Sequence, residues 1–263
     1  LWLPNAYTYA PSVVTAFLAA TATKVAVYAL LRFLFGVFGF EFALIEMPLD
    51  DILMVAGLAG ILIASLVAVF QEDIKRMLAY SSVAQIGYMV LGISLASATG
   101  LTAAILHVFN HALMKGALFL ALGAVAYRIG GVCLRDFAGL GRRMPWTMAA
   151  IVLGGLSLIG VPPTAGFITK WYLVLGTVEQ ELWPVAVLVL VGSLLALVYV
   201  WKLVEVAYFE PVPEGAAPVR EAPWSMLVPI WLLVGANLYF GIHTEVTVGL
   251  ATQAANELIG IRP

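Results

Sequence analysis

The 263 residues are 63% hydrophobic and 11% charged, with a mean hydropathy of +1.02, far above the roughly 45–50% apolar share of soluble domains. A net charge of -2 gives no reason to expect a nucleic-acid partner, and the single cysteine, Cys133, excludes a disulfide framework and any thiolate-held iron–sulfur or zinc site within the chain. No cofactor or metal is expected, and the lipid bilayer is the expected solvent.

Apolar segments fall at about 12–35, 50–70, 77–96, 101–127, 145–177, 183–208 and 224–242. Each is long enough to cross a hydrocarbon core of about 30 Å at about 1.5 Å per residue. The expected fold is therefore an all-α, polytopic transmembrane helix bundle of about seven spans, one transmembrane domain over residues 1–263. The chain opens at Leu1-Trp2-Leu3-Pro4 with no initiator methionine and no signal-peptide pattern, and reads as part of a longer protein.

The first segment follows Pro4 and Pro11 and carries Lys24, a dozen residues past Pro11 and too deep to snorkel comfortably. Between the second and third, Gln71-Glu72-Asp73-Ile74-Lys75-Arg76 marks a helix entry, with Asp73 as the expected cap and Lys75 as a solvated, topology-setting charge. The fourth segment contains His107, His111 and Lys115. Their i, i+4, i+8 spacing aligns them on one helical face in a column about 12 Å long. Histidine titrates near neutrality, and amines and imidazoles on one polar stripe, with water between them, form a plausible proton-hopping path. Bis-histidine haem ligation fits less well, because the remaining histidine, His243, lies near the end of the last helix.

The fifth segment is cut by Gly160-Val161-Pro162-Pro163, a break tolerated at membrane depth only where protein or a water-filled cavity covers it. Lys170 follows it, where freed carbonyls can solvate a cation. The sixth segment carries Lys202 and Glu205, three residues apart on one face near a membrane end, which read equally as an ordinary ion bridge and as a functional pair. Residues 209–223, rich in proline, glycine and alanine, read as a cytoplasmic linker before the last helix.

Charge distribution decides how the broken segment crosses. If 145–177 is one span, connectors 71–76, 128–144 and 209–223 share a side and hold Lys75, Arg76, Arg128, Arg135, Arg142, Arg143 and Arg220. The opposite connectors, 36–49, 97–100 and 178–182, hold no lysine or arginine and carry Glu41, Glu46, Glu179 and Glu181. The basic side is expected to be cytoplasmic. Two segments each pair a proline-marked break with a downstream lysine, Pro4/Pro11 with Lys24 and Pro162/Pro163 with Lys170, the weak symmetry of an inverted-repeat transporter. A charged side chain at the bilayer centre costs roughly 2.5–3.5 kcal/mol, and buried cations usually pair. Lys24, Lys115 and Lys170 face almost no buried carboxylate except Glu205, so the partner of Lys24 is expected on helices outside this chain.

Several stretches run in the order of a known family. They are Trp2-Leu3-Pro4-Asn5-Ala6, Ala10-Pro11 with Lys24, Asp73 through Ser82, Gln85-Ile86-Gly87-Tyr88, His107 through Phe119, and Gly160-Val161-Pro162-Pro163 with Gly166-Phe167 and Lys170. The chain resembles the C-terminal portion of the antiporter-like proton-translocating membrane subunits shared by respiratory complex I and the Mrp-type cation/proton antiporters. The Trp2–Pro11 stretch and the Leu140–Pro145 connector look most like the D subunit of the latter. The resemblance implies two inverted repeats, each with a broken helix and a key lysine, Lys24 and Lys170, with His107, His111 and Lys115 on the axis between them. Asp73, Lys75, Lys202 and Glu205 are accessory candidates. It also implies about six further N-terminal helices bearing a glutamate partner for the first lysine, other membrane subunits as partners, and a bacterial inner or plasma membrane. The function implied is exchange of protons for a monovalent cation such as sodium, by a transporter subunit without redox chemistry of its own. The alternative is a proton-pumping subunit of an NADH- or hydrogen-linked quinone oxidoreductase, and a helix bundle that only scaffolds a complex is a third reading.

Overall fold

The computed structural model describes residues 2–215 and 218–260, so residues 216–217 of the expected linker lie outside the described part. The chain is an all-α bundle: helices α1 Trp2–Tyr9, α2 Ser12–Ala20, α3 Ala22–Leu31, α4 Leu49–Val69, α5 Ile74–Ser94, α6 Ala98–Ile129, α7 Leu140–Arg143, α8 Pro145–Ile159, α9 Ala165–Glu179, α10 Trp183–Phe209, α11 Trp224–Ile242 and α12 Glu245–Leu258. Among the described residues, six stretches are long and apolar enough to cross a membrane: Ser12–Phe38, Leu49–Val69, Ile74–Ser94, Ala98–Ile129, Trp183–Phe209 and Trp224–Ile242, alongside the shorter apolar Pro145–Ile159. The first joins α2, α3 and a π-helical stretch, Arg32–Phe38.

Local chemistry sets many of the ends. Asp73 accepts the Arg76 backbone N–H at 2.8 Å and caps α5, as its position suggests. Ser97 does the same for α6 through Gly100 N–H at 3.1 Å, and Gly130, in the left-handed region at φ +77°, ends α6. The 32 residues of α6 extend roughly 48 Å, more than the hydrocarbon thickness. It packs against α2, α5, α8, α9, α11 and α12, and with α5 forms the buried centre. Helices α4 and α5 approach until Gly57 lies against the Leu91 backbone N–H and Gly87 against that of Ile61, the small-residue packing that substitutes for a hydrophobic drive within lipid.

The connectors establish how the broken segment runs. Ile74 N–H donates to Val132 O at 3.0 Å and Leu134 N–H to Glu72 O at 2.8 Å, joining 71–76 to 128–144. The linker reaches the same end, where Arg128 donates to Glu221 O at 2.6 Å and the Glu221 carboxylate accepts from Trp146 N–H at 2.8 Å and Thr147 Oγ1 at 2.6 Å, at the start of α8. At the other end Gln180 donates to Leu95 O, joining the connectors after α5 and α9. Helices α8 and α9 together therefore make one crossing with a break in it.

The basic connectors thus gather at one end. Cysteines placed near Arg135 and Arg220 are expected to be shielded from an impermeant thiol reagent in intact cells, with one near Glu179 labelled. Labelling of all three from outside would overturn this orientation.

Two features had no expectation. The 36–49 connector contains a π-helical turn, Phe42–Glu46. Beyond the last span, α12 folds back on α6, burying Ala251 and Ala255 while Val246 and Leu250 stay exposed. Its polar positions (Thr247, Gln253, Asn256, Glu257) dilute the hydropathy that would have flagged it.

Candidate functional site

Helix α8 ends at Gly160, whose φ of +89° is a left-handed conformation that disfavours any residue with a Cβ. Its last carbonyls have no donors within the helix. Lys170, one and a half turns into α9, supplies them: its Nζ donates to Leu158 O at 2.9 Å, Ile159 O at 2.8 Å and Ser193 Oγ of α10 at 2.9 Å, and stands 4.8 Å from the Tyr88 ring centroid. The negative end of the α8 dipole also favours a cation there. All three ammonium protons are accounted for.

Lys24 repeats the arrangement at the first break. The chain kinks at Thr21 between α2 and α3, and the Lys24 amine donates to Ala19 O in the last turn of α2 and to Thr23 Oγ1 at 3.3 Å. A further break between α1 and α2 is served by Lys75, whose Nζ donates to Ala10 O at 3.1 Å. Lys75 is buried, and the expectation of a solvated surface charge is corrected: the backbone opened before Pro11 offers a carbonyl, and 65 residues of sequence separation hide that partner. The Lys202 amine points to Gln71 O at 3.5 Å, while Glu205 is exposed, so the ion-bridge reading of the pair gives way to a link from α10 to the connector after α4.

The column lies in the buried centre. His107 and His111 stack with ring centroids 5.6 Å apart and planes 2° from parallel, and Lys115 is wholly buried. The Lys115 amine donates to Leu78 O at 2.8 Å and to Ser81 Oγ, both on α5. None of the four imidazole nitrogens has a hydrogen-bond partner among the described residues. Buried polar atoms of this kind are the positions where bridging water is stable. Asn110, on the same helix, donates to Ala165 O and Thr169 Oγ1, each at 2.9 Å, and ties the column to the start of α9.

His107 is within electrostatic reach of Lys170 and Lys24, and His111 of Lys24 and Lys115. His107, His111 and Lys115 share α6, which packs against α2 and α9, the helices at the breaks where Lys24 and Lys170 bind, whereas Asp73, Lys202 and Glu205 lie towards the basic end. No aspartate or glutamate is buried among the described residues, so these amines are solvated by carbonyls and hydroxyls. Sequence reasoning missed Ser81, Tyr88, Ser193, Tyr199 and Thr169. For Ser193, the one available signal was a hydroxyl inside an otherwise apolar run.

The family described as NADH:quinone oxidoreductase/Mrp antiporter, TM, matches residues 1–196. NADH-quinone oxidoreductase subunit N of Desulforudis audaxviator is 44% identical over 97% of this chain and 53% of its own length. The D subunit of the Na(+)/H(+) antiporter of Alkalihalophilus pseudofirmus is 30% identical over 98% of this chain and 52% of its own. A chain of the solved Mrp complex from Dietzia superimposes with a TM-score of 0.91 at 28% identity, covering 98% of this chain and 55% of that one. One from the archaeal membrane-bound sulfane sulfur reductase gives 0.87 at 32%, covering 98% and 52%. The chain spans about half the length of the curated relatives it matches. With the match across most of its length, and the same helical bundle in solved relatives, the chain belongs to the NADH:quinone oxidoreductase/Mrp antiporter transmembrane family.

Proposed function

We propose that this chain conducts protons across a bacterial plasma membrane as part of a larger multi-subunit assembly, along the axis Lys24, Lys115, His111, His107 and Lys170. The observation that carries this reading is the chemistry of the buried group: amines and imidazoles take up and release protons, and the freed carbonyls at both breaks are already engaged by lysines. A site for a hard cation such as sodium needs oxygen donors left open to it, and the described breaks offer the amine instead. Translocation driven by a quinone-reducing partner draws support from the 44% identity to an NADH-quinone oxidoreductase subunit. Proton exchange for sodium is the second reading, supported by the TM-score of 0.91 to a chain of an Mrp complex.

The test uses the full-length protein in its assembly, in inverted vesicles with a pH-sensitive dye. His111→Gln keeps hydrogen bonding without titrating, and Lys115→Arg keeps charge without ready release of a proton. Both are expected to slow proton movement by about tenfold or more, equivalent to roughly 1.4 kcal/mol on the limiting barrier, with assembly intact. Near-normal rates in both variants between about pH 6 and 9 would return the column to an interhelical packing role. Energising the same vesicles with a quinone reductant or with a sodium gradient separates the two drives.

A further inference from the structure

Helix α9 carries Lys170, yet its own residues do not hold its start. Thr164, at the N-cap, makes no side-chain cap, and its hydroxyl turns back to donate to Val161 O at 2.7 Å. The first N–H groups of a helix have no partner within it, and inside a membrane no bulk water is at hand to serve them. Other helices supply the acceptors. Asn237 Oδ1, on α11, accepts the Ala165 N–H at 3.3 Å, and Ser157 Oγ, on α8, accepts that of Gly166 at 3.2 Å. Asn110 Nδ2, on α6, donates to the Ala165 carbonyl and to Thr169 Oγ1, each at 2.9 Å. Ala165 is thus held by its N–H from α11 and by its carbonyl from α6, and the turn that Asn110 spans ends beside Lys170. The short Asn237 side chain reaches α9 because residue 241, one turn further along the same face of α11, is glycine: a Cβ there would run into Pro163 O. Asn237 is buried and serves α9 through its oxygen alone, since its Nδ2 has no partner among the described residues.

We propose that Asn237 and Asn110 are positioning residues for Lys170: they fix where α9 begins, and with it whether the Lys170 amine meets the freed carbonyls of α8. The proposal rests on the reading of this chain as a proton conductor. Lys170 lies on the same helix as Ala165, and its amine has to meet Leu158 O, Ile159 O and Ser193 Oγ together, at 2.9, 2.8 and 2.9 Å. A slip of α9 by one residue is about 1.5 Å along its axis, more than hydrogen bonds of that length tolerate. The break cannot set this register by itself, because Pro162 and Pro163 have no N–H to donate. Asn110 also stands one residue before His111 on α6, so the same hold joins the helix of the lysine to the histidine column. Neither asparagine takes up or releases a proton in this role.

The test separates the Asn237 oxygen from the bulk of its side chain, in the full-length assembly, with proton movement measured per assembled complex. Asn237→Leu keeps the size and removes the acceptor, whereas Asn237→Asp keeps an oxygen facing the Ala165 N–H and replaces only the unpartnered Nδ2. Asn237→Leu is expected to conduct about tenfold more slowly or worse, and Asn237→Asp to stay within about threefold of the unaltered protein. Thr102→Val, which deletes a buried hydroxyl that donates to Ala98 O within α6 at 2.7 Å, is the control for general damage. It is expected to lower the melting temperature without slowing conduction. Should Asn237→Leu not assemble, Asn237→Ala, which lacks the amide and adds no bulk, carries the same test. Asn237→Leu within about threefold of normal, Asn237→Asp as slow as Asn237→Leu, or Thr102→Val slowed as much would each overturn the positioning role. Lys170→Ala is the reference. If it abolishes conduction while Asn237→Leu conducts normally, only the positioning role falls; if it conducts normally itself, the proton-conducting reading falls with it.

Discussion

Lys170→Ala is expected to abolish proton translocation by the full-length protein, with at least about a hundredfold loss of rate, roughly 2.7 kcal/mol on the barrier. The amine is held at the break by Leu158 O, Ile159 O and Ser193 Oγ and stands 4.8 Å from the Tyr88 ring centroid. Its removal deletes the proton carrier at the end of the axis. The same change leaves two carbonyls and a hydroxyl without their donor, and a buried unsatisfied group costs about 1–3 kcal/mol. Water entering beside the small alanine recovers part of that cost, so the complex is expected to assemble with a lowered melting temperature. Lys170→Arg separates the two effects, since it restores a cation to the carbonyls but does not readily give up its proton. It is expected to recover the melting temperature and not the transport. Assembly is read on a native gel and transport by dye quenching. Lys170→Ala vesicles running at more than half the normal rate would remove this lysine from the mechanism.

The second large effect concerns the break itself. Gly166→Ala is expected to destabilise the protein by about 2–3 kcal/mol, beyond the middle of the usual range for overpacking, because its Cβ would enter the Ser157 backbone carbonyl, which has no freedom to rotate away. On the opposite side Gly241 of α11 sits directly against the backbone of Pro163, Thr164 and Ala165, and Asn237 accepts the Ala165 N–H at 3.3 Å, so α9 cannot retreat. In an open helix the same substitution would stabilise by up to about 1 kcal/mol. Gly235→Ala, on α11 with no atom near its would-be Cβ, is therefore the control and is expected to be neutral or mildly stabilising. A loss of about 5 °C or more in the melting temperature of Gly166→Ala, with none for Gly235→Ala, is the expected result. Equal behaviour of the two would show that the α8–α9 approach is looser than the structure has it.

Much of this was legible before any coordinates. Partition into lipid is decided segment by segment, so the seven crossings, the break at Pro162-Pro163 and the grouping of Arg128, Arg135, Arg142, Arg143 and Arg220 at one end follow from hydropathy, proline and loop charge alone. The i, i+4, i+8 column is likewise a property of one helix, and the high cost of burying its residues marks them without knowledge of their neighbours. Tertiary structure alone decided what each amine binds. Lys115 finds Ser81 from 34 residues away, Lys75 finds Ala10 across 65, and Lys170 finds Ser193 across 23. Lys75 illustrates the difference most clearly, because its neighbours in sequence are charged and solvated while its amine reaches a helix break. A hydrogen bond depends on distances of a few tenths of an ångström between chemically common groups, and serine, tyrosine and backbone carbonyls occur throughout the chain. Which of them meet is set by how glycines let α4, α5, α8 and α9 approach, and that packing is not written in any single segment.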